Sequence, residues 1–329
     1  MINKKSIEKI ARETINIIQK IDFSQLDISD YNKKYISSLL PHLDYYFEIY
    51  ADAIIRIQKN GITSEYFIDF GGGHGFLSLF LKRLKMNVIY CDHNPLSVNT
   101  VTIIKAITGF GPDIIIEGSS SELKSYCKTN NILPKYLIAT DLIEHIYDLN
   151  CFFSDFQTLN PSLEMIFTTG SVKSNILKTK KLRKIMIEEE ANIYFPIRKQ
   201  FITEKYPDIA SNEIDKLTKS TRGMIFSDII KNVDIYLETS VLSVIDIDKY
   251  NTCDPRTGNW TERILSKKQY RKIINNNHFQ VAFKNGFYNE NRSNPFLSFI
   301  IMIINFFIRY LGIFGAKITP FLILKLSPK

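Results

Sequence analysis

Hydrophobic positions change their period twice along this chain. From residue 4 to residue 20, Ile7, Ile10, Ile15 and Ile18 recur at helical spacing, and a second helical pattern runs from about Tyr31 to Lys59, interrupted at Pro41. Residues 1–62 are therefore expected to form a helical N-terminal cap. From Tyr66 the pattern becomes short apolar runs, YFIDF, NVIYCD, DIIIE, KYLIATD and LEMIFTTG, separated by helix-like stretches of roughly a dozen residues. Strands alternating with helices predict a parallel sheet, and near-continuous apolar runs fit strands covered on both faces. After Gly170 the rhythm breaks into long polar helical stretches, with one strand candidate at Val241 to Ile247. Residues 172–265 read as a mostly helical insertion after the fifth strand. The core then resumes over 266–290, with Ser266 as the N-cap of a helix through Asn275, a strand FQVAFK, and a last short strand near Phe287. The expected fold is α/β: a Rossmann-like, mainly parallel, seven-stranded sheet with helices on both faces, its main body at 63–171.

The final segment, 291–329, departs from this patterning. FLSFIIMIINFFI (296–308) is broken only by Ser298 and Asn305; Arg309, Lys317, Lys325 and Lys329 follow at intervals, and FLILKL adds a second apolar patch after Pro320. The uncharged run is too short to span a bilayer, which takes about 20 residues. It is expected to lie in a membrane surface through 296–325 with its cations reaching out, or to pack on the protein or in a homodimer.

Composition narrows the function classes. At 329 residues and 45% hydrophobic content the chain can bury a full-sized core. A net charge of +8 would suit a polyanion, but no block of five or six like charges appears, and the basic stretch Lys178 to Lys184 is followed at once by Glu188, Glu189 and Glu190. A nucleic-acid partner is not expected. Cys91, Cys127, Cys151 and Cys253 form no CxxC pair and stand away from ligand-spaced histidines, so no metal site is expected. The N-terminus lacks the continuous apolar region of a secretory signal, which points to the cytoplasm or the inner face of its membrane.

The chemistry is concentrated in Asp69-Phe70-Gly71-Gly72-Gly73-His74-Gly75, directly after the first strand and before the apolar helix Phe76 to Leu84. Gly71 and Gly73 permit a sharp turn with close backbone approach, and Gly75 lets the helix pack on the strand. The second strand ends in Asp92, 23 residues after Asp69, where an acid can hold both hydroxyls of a ribose. This segment resembles the first motif of the class I S-adenosylmethionine-dependent methyltransferases, acidic-x-Gly-x-Gly-x-Gly, and differs from the G-x-G-x-x-G of dinucleotide-binding dehydrogenases, since His74 and Phe76 stand where the third glycine would fall. Asp69 would repel a pyrophosphate but attract a ligand carrying a sulfonium and an amino group.

The resemblance covers about Tyr66 to Gly170 and Ser266 to Asn289. It implies S-adenosylmethionine as cofactor and S-adenosylhomocysteine as product. The cofactor would be held by Asp69, Gly71, Gly72, Gly73, His74 and Gly75, with the ribose on Asp92 beside His93 and the adenine edge at Ser119 and Ser120. The D-x-x-E-H segment Asp141 to His145 resembles that of small-molecule methyltransferases and places Asp141 beside the methionine half. His145 is the candidate general base; its alternative role is to brace the loop. Asp254 to Arg263 holds the only tryptophan, and Arg256, Trp260 and Arg263 are the candidates for the acceptor site, with a structural turn as the alternative. Tyr45 and Tyr46 are candidates to close the cofactor pocket. The expected acceptor is a small molecule, a saccharide or a lipid-linked compound methylated on oxygen; N- or C-methylation and a silent cofactor-binding scaffold are the competing readings.

Overall fold

The computed structural model describes residues 3–57, 65–242, 248–291 and 293–329. The N-terminal cap is three helices, α1 (Lys4–Ile18), α2 (Asp30–Leu39) and α3 (Leu43–Ile57), and the interruption at Pro41 is a 3-10 turn between α2 and α3. Lys59, the expected end of that pattern, lies outside the described residues. The alternating body follows: β1 (Tyr66–Phe70), α4 (Phe76–Arg83), β2 (Asn87–Asp92), α5 (Pro95–Thr108), β3 (Ile114–Glu117), α6 (Ser120–Thr129), β4 (Tyr136–Thr140), α7 (Leu149–Leu159) and β5 (Glu164–Thr169). These strands run parallel in the order β3-β2-β1-β4-β5.

Why the strands read as unbroken apolar runs is visible in how they alternate. Phe67, Val88, Ile138 and Ile166 enter the core under α1, α3 and α4, while their neighbours Ile68, Ile89, Leu137 and Phe167 enter the core under α6 and α7. A period of two with apolar residues on both faces leaves polar positions such as Asp69 and Thr168 to the carboxyl ends of the central strands.

The insertion is helical, as its polar periodicity predicts: α8 (Ile176–Glu189), α9 (Phe195–Lys205), α10 (Ser211–Ser220) and α11 (Phe226–Thr239). A π-helical turn, Glu190–Tyr194, joins α8 to α9. Of the expected strand at 241–247, Val241 and Leu242 are irregular and 243–247 lie outside the described residues. The helices have their own small core around Ile202, Leu217, Ile229 and Val233. Arg198, wholly buried, donates to Glu190 Oε1 at 2.5 Å and Oε2 at 3.2 Å, and Thr252 bonds Oε2 as well. Two N–H donors and a hydroxyl thus compensate a carboxylate taken out of water.

After α12 (Lys267–Asn276), capped by Ser266 as expected, β6 (Phe279–Asn285) is followed by α13 (Pro295–Tyr310), α14 (Gly312–Ile318) and β7 (Leu322–Pro328). The expectation of a last strand near Phe287, with the core closed by Asn289, is corrected here. The seventh strand is FLILKL, which the apolar pattern had assigned to the tail. It runs antiparallel between β5 and β6, completing the order β3-β2-β1-β4-β5-β7-β6. Its alternation is that of a central strand: Ile323 faces the α1/α3 core, and Leu322, Leu324 and Leu326 face the other. The helical hairpin α13-α14 is thus an insertion between two sheet strands. It leaves and re-enters at the edge where β1 to β5 end, since Leu322 pairs with both Thr169 and Asn285.

Candidate functional site

Strand order reverses between β1 and β4, and in open α/β sheets ligands bind in the crevice outside the strand ends at that point. The glycine loop leaves β1 there. Gly71, Gly73 and Gly75 have φ of 65°, 52° and 77°, the left-handed region that disfavours side chains. A Cβ on Gly71 would stand 2.6 Å from Leu142, and one on Gly75 would overlap Val101 on α5. A Cβ on Gly73 would meet nothing within 4 Å, so this glycine is required by its backbone and leaves open room above the loop.

Asp92, at the end of β2, ties the loop down. Its Oδ2 accepts from Gly73 N at 2.9 Å, its Oδ1 accepts from Asn94 N at 2.9 Å, and the Tyr90 hydroxyl donates to the Gly73 carbonyl at 2.6 Å. Each carboxylate oxygen keeps a second lone pair for a ligand hydroxyl. His93 is exposed, its ring 3.8 Å from Asp92 Oδ1. Beneath the loop, Asp69 is buried and accepts from Ser78 Oγ at 2.7 Å. Loss of water, and then the nearby Asp92 charge, push its pKa up to about 7. A buried acid so poised gains most from a cation placed above it.

His74 packs at the helix start: its ring lies 3.9 Å from the Phe76 ring and 5.9 Å from that of Tyr35, and Nδ1 accepts from Phe76 N. Desolvation lowers its pKa to about 3, so it is a neutral wall and no proton carrier. Ser119 and Ser120 are already committed. Ser119 caps α6 in a reciprocal box with Glu122, and Ser120 Oγ donates to Asp155 at 2.7 Å.

On the other side of the crevice Asp141 is exposed with φ 57°, its N–H donating to Thr168. A Cβ on Gly170 would stand 3.3 Å from the Asp141 carboxylate and 2.8 Å from the Lys178 amine. Two tyrosines of the cap stand over it. Tyr35 rises to about 12, through desolvation first and then the neighbouring Tyr46 and Asp141, and Tyr46 is raised by desolvation and Asp141. Of the pair expected to close the pocket, Tyr46 is at the crevice, whereas the Tyr45 hydroxyl donates to the Phe287 carbonyl. Tyr35 escaped the sequence reading; its trace is the exposed pair Tyr31 and Tyr35, four residues apart on α2 with rings stacked at 6.2 Å.

The loop after β4 is held by the segment expected to bind the acceptor. His145 Nδ1 lies 2.7 Å from the Trp260 carbonyl, which only accepts, so Nδ1 donates there and Nε2 is the ring nitrogen turned to other partners. Trp260 N donates back to the His145 carbonyl, Arg263 N donates to that of Glu144, and Arg263 Nη1 donates to that of Tyr147. Trp260 is 3% exposed, stacked on Tyr147 at 5.8 Å and covered by the Arg263 guanidinium at 4.7 Å. Trp260 and Arg263 therefore brace His145, and Arg256 is an exposed side chain clasped two-pronged by Asp254. A cavity of about 810 Å³ between α1, α3, β6 and α13 shares no residue with the glycine loop.

No family model and no curated protein matches the chain. Among solved structures it is similar to an S-adenosylmethionine-dependent methyltransferase from Clostridium acetobutylicum, with 12% identity over 91% of this chain and 99% of that one and a TM-score of 0.46. It is also similar to the magnesium protoporphyrin IX methyltransferase of Synechocystis, with 12% identity, 99% and 100% coverage and a TM-score of 0.44. MtNAS in complex with MTA and tNA matches at 15% identity over 49% of this chain, with a TM-score of 0.33; the chain spans about half the length of MtNAS. The sheet itself, parallel but for a seventh strand turned antiparallel between the fifth and sixth, identifies the architecture. The chain has a Rossmann-like α/β fold.

Proposed function

We propose that this protein transfers the methyl group of S-adenosylmethionine to an oxygen of a small-molecule, saccharide or lipid-linked acceptor. One observation carries the reading: a left-handed glycine loop at the switch point of the sheet, pinned to Asp92 and underlaid by the buried carboxyl of Asp69. The residues present fit the cofactor. Asp92 accepts from the ribose hydroxyls, the glycine loop admits close backbone approach, and Asp69 and Asp141 supply negative charge toward the sulfonium and amino groups. When bound, the cofactor supplies an electrophilic methyl group on a sulfonium. His145 Nε2 would take the proton of the acceptor hydroxyl as its oxygen accepts the methyl group, and the fixed loop would hold the two reactants in line. Tyr35 and Tyr46 exclude water from the cap side, and the 172–265 insertion, leaving the carboxyl end of β5, walls the acceptor side. The Trp260 carbonyl fixes the tautomer and direction of His145, and Arg263 holds the same loop through the carbonyls of Glu144 and Tyr147. Calorimetric titration with S-adenosylmethionine, S-adenosylhomocysteine and NAD tests the reading: the first two should bind and NAD should not. Binding of NAD alone overturns it.

A further inference from the structure

The hairpin α13-α14 is amphipathic in the wrong sense for a helix packed on a protein. Its buried positions are Ile301, Asn305 and Ile308, and the polar one is the best anchored. Asn305 Nδ2 donates to the Tyr288 carbonyl and Glu290 Oε1, and its Oδ1 accepts from Tyr288 N, each at 2.8 Å. The outward face is Phe296, Phe299, Met302, Ile303, Phe306 and Tyr310, between 38% and 71% exposed, and α14 continues it with Ile313 and Phe314 at 79% and 69%. A helix of a soluble protein turns such residues inward, and contiguous apolar patches beyond a few hundred Å² mark an interaction surface. The hairpin is also fastened in this pose. Ser174 bonds the Ala316 carbonyl, Asn175 that of Thr319, and Lys178 that of Pro320.

Charge decides the occupant. After Glu290 the sequence has no acidic residue, while Arg309 and Lys317 stand within the hairpin. Arg309 borders the cavity that Glu48 and Glu290 also line, and a two-fold pairing of the outward face would bring only basic charge from both hairpins to the seam, since the hairpin itself holds no acid. An anionic lipid surface answers that charge directly, and phenylalanine, tyrosine and aliphatic side chains are those that enter the headgroup and acyl boundary. Among the described residues no helix is long and apolar enough to cross a membrane, and α13, at 16 residues or about 24 Å, falls short of the roughly 30 Å hydrocarbon layer.

We propose that α13-α14 docks in the interface of an anionic bilayer, from the sheet edge that carries the glycine loop. The crevice then faces the membrane, and its acceptor is an amphiphile held in the bilayer; this second step rests on the methyl-transfer reading, whereas docking does not.

The test uses the full-length protein and sedimentation with vesicles of phosphatidylcholine, with or without phosphatidylglycerol. The wild type should sediment with the anionic vesicles and be released by salt. Phe299→Glu with Phe306→Glu should abolish sedimentation, and Arg309→Glu with Lys317→Glu should weaken it about tenfold or more. Both should keep the wild-type affinity for S-adenosylmethionine, which also shows that they are folded. A wild type that stays in the supernatant with either vesicle overturns docking. So does a dimer, seen by light scattering, that Phe299→Glu with Phe306→Glu splits. Sedimentation without cofactor binding would keep docking and remove the methyl-transfer reading.

Discussion

Replacing Asp92 by asparagine separates a ligand-binding carboxylate from a mere loop brace. Asp92 now gives one oxygen to Gly73 N and the other to Asn94 N, each at 2.9 Å. An amide of the same shape must turn its NH₂ toward one of those N–H groups, so one backbone donor loses its partner, at about 1 to 3 kcal/mol. That loss falls on stability. Cofactor affinity loses separately, because a hydroxyl that met a charged acceptor meets a neutral one or a donor, and hydrogen bonds to charged groups contribute about 1.5 to 3 kcal/mol each. Taking the two ribose hydroxyls together, about 2 to 4 kcal/mol is expected, a rise in Kd of roughly 30- to 900-fold. Calorimetry gives Kd and thermal unfolding gives the stability cost on the same sample. If Tm falls while Kd for S-adenosylmethionine stays within about threefold of the wild type, Asp92 serves the loop alone and the ribose assignment is wrong.

Further outcomes follow from the same geometry. Asp69, raised to about 7 from the ordinary carboxylate range, is protonated in the empty protein below that pH, and a cationic ligand favours its anion. Cofactor affinity should therefore climb with pH, by at most tenfold per unit, and level off above about 7, with proton uptake by buffer seen in calorimetry; a flat profile would show that no cation sits over Asp69. The same shift makes the contribution of Asp69 to stability greatest below about pH 4 and lost as pH rises through about 7, a trend that Asp69→Asn should flatten in unfolding experiments. Gly75→Ala, with φ of 77° and Val101 in the way, should cost about 2 to 4 kcal/mol in chemical denaturation, and Gly73→Ala, with open space, about 1 to 2; equal costs would contradict the packing described. His145→Gln should lower kcat by roughly 10² to 10⁴ with cofactor Kd unchanged, and Trp260→Ala should lower kcat in the same direction while also costing about 3 to 5 kcal/mol of stability. A Trp260→Ala enzyme with normal kcat would remove its bracing role.

What was legible in the sequence was local. The backbone form of Asp69 to Gly75 is readable because each residue answers a constraint within a few positions of itself: a strand end, a left-handed turn, a helix start. Asp92 stands out in sequence as the acid that ends the second strand, 23 residues after Asp69, and its bond to Gly73 is a contact between neighbouring strand ends. That Trp260 and Arg263 also hold the loop after β4 was not legible, since the carbonyls they bind belong to residues 144–147, more than 110 positions earlier. The serines after β3 look like ligand donors in sequence, and only the structure reveals that Glu122 and Asp155 take their hydroxyls. FLILKL was misread for a related reason. A strand buried on both faces and a segment lying in lipid satisfy the same demand, removal of apolar groups from water, and nothing within six residues tells the two apart. Tyr35 was hidden because its neighbour Asp141 comes more than 100 positions later in the chain.

The position of β7 makes the sheet's integrity depend on its most remote pairing. Leu322 to Pro328 supply the backbone partners of both β5 and β6, so β6 is joined to the five strands beyond it wholly through one seven-residue segment. Detach it, and β5 and β6 each present a row of unanswered N–H and C=O groups, the kind of edge that recruits foreign strands. An experiment that removes the hairpin by cutting the chain after Asn294 would therefore manufacture an aggregating protein, and its behaviour toward vesicles would be uninterpretable. Replacing residues 287–320 by a short turn between β6 and β7 keeps the keystone in place.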